Sequence, residues 1–291
     1  MNERDVHTRD GRTLRISQAG EIGGVPGLCH HGMPGSRLLE PTDVARAHRR
    51  GIHLIGYDRP GYGGSSHHEG RNVADCAADV RTIADALGIR RLAVWGVSGG
   101  GPHAAACAAL LSDLVPAVGV LASGAPYGAP GLDFFAGMGE YNVDDVQLYF
   151  DDRAAARAKS RSDREELLAA DLDAMMAMWR SLIAPVDAAA LTGELGSFLL
   201  EHSQLGLAPG DDGWWDDVVA MLGDWGFGLS QIRTPVLLMH GREDRFVPFA
   251  HGEWLAAAIP GAEARLLESD GHLSLVVNHL DEVYDWLLER M

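Results

Sequence analysis

Apolar positions along the chain follow two alternating rhythms. Short β-branched and aliphatic runs at residues 13–17, 27–30, 52–57, 92–97 and 117–122 read as strands. Stretches of helical spacing separate them. Residues 38–50 close at Gly51, residues 73–87 close at Gly88, and the Ala-rich run 101–110 carries Pro102 in its first turn. This alternation predicts a parallel sheet with right-handed crossovers. From about residue 127 to residue 228 helical periodicity continues without a convincing strand. The strand–helix rhythm then resumes, with strands at 235–240 and 264–267 and helices at 252–259 and 275–290. The pattern predicts an α/β core built from residues 1–126 and 229–291, interrupted by a helical cap or lid, residues 127–228. That insert is too long for a simple loop and should fold on its own.

The chain has 291 residues, 46% hydrophobic and 22% charged, the composition of a globular protein. Its net charge is −17, unevenly spread. Residues 131–228 hold 19 acidic and 6 basic side chains, against 22 and 18 in the remainder. An acidic surface disfavours nucleic acid and anionic membranes as partners, and makes phosphorylated or CoA-linked substrates less attractive. No apolar run approaches the roughly 20 residues that span a bilayer. The N-terminus, Met1-Asn2-Glu3-Arg4-Asp5, is polar and lacks a signal-peptide core. The expectation is a cytoplasmic monomer or homodimer without membrane insertion. Cys29, Cys76 and Cys107 are odd in number and far apart in sequence, which fits buried thiols better than a disulfide framework or a zinc site. No histidine pair has metal-binding helical spacing, so no metal is expected.

Against this background residues 94–100, Val-Trp-Gly-Val-Ser-Gly-Gly, stand out. A strand runs into a G-x-S-x-G turn and then into a helix, the context that turns Ser98 into an exposed nucleophile. Such a serine needs a base and a carboxylate to orient that base. Asp244 and His272 follow in order, each just beyond the carboxyl end of a predicted strand, where ligands of open parallel sheets bind. Glu243 and Asp270 are the rival acids. Glu243 should point away if Asp244 faces the site, and Asp270 is close enough to His272 to belong to a turn.

Five motifs, in order, resemble the α/β-hydrolase superfamily: His31-Gly32-Met33-Pro34-Gly35, Asp58-Arg59-Pro60-Gly61-Tyr62-Gly63, Gly96-Val97-Ser98-Gly99-Gly100, His240-Gly241-Arg242-Glu243-Asp244, and Gly271-His272. The resemblance implies an α/β-hydrolase fold: a mostly parallel eight-stranded sheet flanked by helices, with a helical lid after the sixth strand. It implies hydrolysis without a cofactor by the triad Ser98, Asp244 and His272. The oxyanion hole would be the N–H groups of Gly99 and Met33, since Pro34 has none, with His31 and Gly32 supporting that loop. Asp58 and Arg59 would anchor a turn. The insert's aromatic and methionine side chains should mostly form its own core, with a minority roofing an apolar pocket; Phe134, Phe135, Trp179 and Trp214 are candidates. The expected activity is hydrolysis of an ester or lactone of a mainly apolar small molecule. The same triad also serves C–C bond or amide hydrolysis, acyl transfer and peracid formation, and the fold can serve as a non-catalytic ligand receptor. Serine at position 98 excludes relatives that use aspartate there, the haloalkane dehalogenases and epoxide hydrolases.

Overall fold

The strands occur as β1 (Asn2–His7), β2 (Thr13–Gly20), β3 (Val25–His30), β4 (Ile52–Tyr57), β5 (Ala93–Val97), β6 (Val118–Leu121), β7 (Val236–Gly241) and β8 (Glu263–Leu267). They come from a computed structural model that describes residues 2–191 and 193–291. All eight lie in one sheet, in the order β1-β2-β4-β3-β5-β6-β7-β8. β2 pairs antiparallel with both β1 and β4, and the remaining pairs are parallel. The core helices are α1 (Pro41–Arg49), α2 (Cys76–Leu87) and α3 (Gly101–Leu110), then, after the insert, α10 (Phe249–Ala258) and α11 (His272–Leu288).

Because side chains alternate across a strand, adjacent Val94 and Trp95 of β5 enter opposite cores. On one face Val94 and Leu28 pack with Val80 and Ile83 of α2, Ala104 of α3 and Leu255 of α10. On the other, Trp95 and Met239 pack with Ala47 of α1 and with Leu275 and Val283 of α11. Both faces are covered, so the central strands read as continuous apolar runs.

The insertion after β6 comprises α4 (Glu140–Asp151), α5 (Arg153–Ala169), α6 (Leu172–Met178), α7 (Pro185–Ala190), α8 (Gly193–Leu207) and α9 (Asp212–Leu222). Leu167, Met175, Leu207 and Trp214 cluster within it around Tyr62 of the core. Among the described residues no helix is long and apolar enough to cross a membrane.

The differences from the sequence pattern have local causes. β1 was not predicted, because only Val6 of its six residues is buried and no apolar alternation marks it; Met1 lies outside the described residues. α1 begins at Pro41 rather than residue 38, with the Glu40 side chain accepting the Asp43 N–H. A separate 3-10 turn, capped by Asn72, precedes α2. α11 starts at His272, three residues before the apolar spacing begins at residue 275. An edge strand and a first helical turn are set by hydrogen-bonding partners, which periodicity does not report.

Candidate active site

Ser98 joins β5 to α3 with φ at 55°, a left-handed conformation rare for a side chain other than glycine. Two glycines make room for it. A Cβ on Gly96 would strike the Gly100 carbonyl, and one on Gly100 would strike the His30 carbonyl. Side chains then lock the turn. Ser123 Oγ donates to the Ser98 carbonyl at 2.8 Å, and His103 Nδ1 donates to the Gly99 carbonyl at 2.9 Å. The position of Gly100 makes it intolerant of change. Gly100→Ala should lose roughly 2 kcal/mol or more of unfolding free energy in a denaturant titration, since the obstructing atoms are backbone.

Asp244 and His272 come together from the loops after β7 and β8. Asp244 Oδ2 lies 2.7 Å from His272 Nδ1, both residues being buried. The other carboxylate oxygen accepts the Val247 N–H at 2.8 Å, and His240 Nε2 donates to the Val247 carbonyl. Glu243 is exposed, and Asp270 is engaged by Asn278 and His279. Phe246 stacks on the His272 ring at 4.5 Å and 21°. Burial opposes the imidazolium, but the charge and hydrogen bond of Asp244, aided by the charge of Asp187, outweigh it. The His272 pKa is therefore raised above the ordinary histidine value.

The loop after β3 passes directly over the serine. A Cβ on Gly32 would stand 3.7 Å from Ser98 Cβ, and the Met33 nitrogen lies 3.6 Å from where a Gly99 Cβ would be. Thus the Met33 and Gly99 backbones flank Ser98. His31 supports the loop from within: its Nδ1 donates to the Gly32 carbonyl, leaving Nε2 to accept the Arg59 N–H. Burial, then the charge of Arg59, pushes its pKa well below the usual histidine range, so the ring is neutral. Arg59 is fully buried and donates to both the His31 and Gly32 carbonyls. Asp58 accepts the Arg37 N–H and guanidinium and the Gly64 N–H.

Sequence reasoning missed the residue that completes this assembly. Asp217, on α9 of the insert, is fully buried, within 2.6 Å of Arg59 and 2.7 Å of Arg71, and accepts from Tyr62 Oη at 2.9 Å. Burial alone would raise its pKa, but the two guanidiniums hold the carboxyl well below the usual range. Ser123 and Phe246 were also missed. None of these carries a local signal, because each partner is remote in sequence. All three cysteines are free, Cys76 and Cys107 buried as expected and Cys29 half-buried. The fold gathers Cys76, Cys107 and His30 so that their ligand atoms lie within 4.8 Å of one another. Burial pushes the Cys76 thiol well above its usual range and His30 well below its own, the neutral forms suited to a packed interior.

Two cavities, of about 190 and 220 Å³, meet at Ser98 and share Met33, Pro34, Trp179 and Phe246 as walls. The first is roofed by Phe134, Met138, Trp214 and Trp225 from the insert; Phe135 is not among its walls. The second reaches His272 and, in α8, Phe198 and Leu199. Among the described residues, neither cavity is lined by lysine or arginine.

An open α/β sheet with a serine elbow and an Asp–His pair at its carboxyl edge defines a hydrolase-type scaffold. The family model for the alpha/beta hydrolase fold matches residues 28–279, and the chain belongs to that family. It is 25% identical over 269 residues to the AB hydrolase superfamily protein YisY of Bacillus subtilis, covering 92% of this chain and 91% of that one. It is 27% identical to a non-heme chloroperoxidase of Streptomyces lividans, over 84% of this chain and 83% of the other. Among solved structures it resembles the esterase RhEst1 from Rhodococcus sp. ECU1013, with a TM-score of 0.73 at 20% identity over the full length of both chains.

Proposed function

We propose that this protein is a serine hydrolase cleaving a carboxylic ester or lactone whose two sides are both mainly apolar and uncharged. The observation that carries this reading is the pair of apolar cavities meeting at Ser98, with His272, itself held by Asp244, bordering one of them. One chamber would take the acyl group and the other the alcohol. The absence of cationic side chains from their described walls argues against carboxylate or phosphate substrates.

In this reading His272 Nε2 takes the Ser98 proton as Oγ attacks the carbonyl, while Asp244 holds Nδ1–H and stabilises the imidazolium. The N–H groups of Met33 and Gly99 stabilise the oxyanion. The tetrahedral adduct collapses, His272 protonates the departing alcohol, and an acyl-serine remains. Water then attacks the acyl-serine with His272 as base, releasing the acid and restoring the serine.

The test is hydrolysis of p-nitrophenyl esters of increasing acyl length, together with labelling by a serine-directed fluorophosphonate. Turnover peaking at one chain length, with the label on Ser98, is the expected result. Because only neutral His272 can accept the proton, kcat/KM should rise with pH through a midpoint above the ordinary histidine value of about 6.5 and level off beyond it. Folded protein that neither turns over esters nor takes the label would overturn the reading.

A further inference from the structure

Asp187 lies on α7 of the insert, is fully buried, and forms no ion pair among the described residues. An unpaired carboxylate is costly to bury unless its oxygens are satisfied by hydrogen bonds. Here they are satisfied at the N-terminus of α11. Oδ2 accepts the N–H of His272 at 3.0 Å. Oδ1 accepts the N–H groups of Leu273 and Ser274, each at 2.9 Å, and Ser274 Oγ at 2.8 Å. These three consecutive amides are donors that a helix cannot satisfy internally, and they sit at its positive end. The N-cap position is Gly271, which has no side chain to offer. A Cβ there would come within 2.5 Å of the Asp187 carboxylate. The cap of the histidine helix is therefore supplied by the insert, from 85 positions away in the chain.

We propose that Asp187 is a positioning residue for His272, so that the base is competent only when α7 of the insert is seated on the core. This rests on the serine-hydrolase reading above. Asp244 fixes the imidazole ring and Asp187 fixes the backbone that carries it. The titratable groups facing that imidazole are Asp244 and His240 from the β7 end, and Asp187 from α7, while Phe246 covers the ring face. Asp187 thus also contributes negative charge that favours the imidazolium formed during turnover.

The experiment compares wild type with Asp187→Asn, reading ester hydrolysis and the rate of fluorophosphonate labelling across pH. An amide oxygen can retain the Oδ1 contacts, but the nitrogen would then face the His272 N–H. The expected result is an acidic limb displaced downward by about half to one pH unit. The plateau kcat should fall about tenfold, with KM changed much less. A folded Asp187→Asn whose acidic limb and plateau match wild type would overturn the proposal. Hydrogen exchange on the unmodified protein gives a second arm that does not depend on the variant folding. The amides of residues 272–274 should become exchangeable together with those of α7; protection there that outlasts exchange of α7 would also overturn it. Wild type that fails to label at Ser98 would defeat the hydrolase reading instead, leaving the exchange coupling to be judged on its own.

Discussion

Ser98→Ala is expected to lower ester turnover by three to six orders of magnitude while leaving the fold intact. The size of the loss follows from the absence of a substitute nucleophile: residual catalysis from the oxyanion donors and binding alone is typically only ~10³–10⁴-fold over water. Stability should hardly change, because the turn is locked by the Ser98 carbonyl and not by its hydroxyl. Alanine and serine face the same penalty at a φ of 55°. Glycine does not, so Ser98→Gly should be inactive yet more stable than wild type by about 1 kcal/mol. The pair separates function from strain. Inactivity with raised stability is what a strained nucleophile turn predicts. Ser98→Ala with wild-type turnover would remove Ser98 from the chemistry altogether, and Ser98→Gly less stable than Ser98→Ala would remove the strain argument. Kinetics with p-nitrophenyl esters and denaturant unfolding on the three proteins suffice.

What the sequence makes legible and what it hides divide along physical lines. β5, the glycines around Ser98 and the α3 start are local features, each written in a few adjacent residues, and the structure reproduces them within a residue or so. Asp244 was separable from Glu243 because loop neighbours face opposite ways, and Glu243 is exposed. The residues that hold these parts together were not legible. Asp187 and Asp217 read as two among nineteen acidic side chains of a solvated insert, yet both are fully buried against the core. No periodicity distinguishes a carboxylate that caps a distant helix from one that faces water. The early start of α11 has the same origin, since its first turn is stabilised by Asp187 and not by its own apolar spacing. Arg59 is an intermediate case: its turn motif suggested an anchor, but its grip on the His31 and Gly32 carbonyls required the fold.

Asp217→Ala should be the most destabilising single change at the contact between insert and core. The substitution would leave Arg59 and Arg71, both buried, without their shared counter-ion, and Tyr62 Oη without its acceptor. Breaking a buried pair by removing one partner typically costs about 3–5 kcal/mol, because the remaining charge stays desolvated. At roughly 2–4 °C per kcal/mol for a chain of this size class, Tm should fall by about 10 °C. The loss should be insensitive to pH near neutrality. The folded carboxyl titrates below its unfolded value, so its contribution is complete above about pH 4 and declines only as pH falls toward the depressed folded pKa. The difference in stability between wild type and variant should therefore be flat from about pH 6 to 8. Activity should fall as well, since Arg59 would lose the carboxylate that orients it against the loop bearing Met33. A double-mutant cycle makes the cause explicit. With Arg59→Met already in place, Asp217→Leu should cost much less than in wild type, giving a coupling of about 2 kcal/mol or more. Additive losses would mean that α9 is held by apolar packing and that the buried ions are passengers.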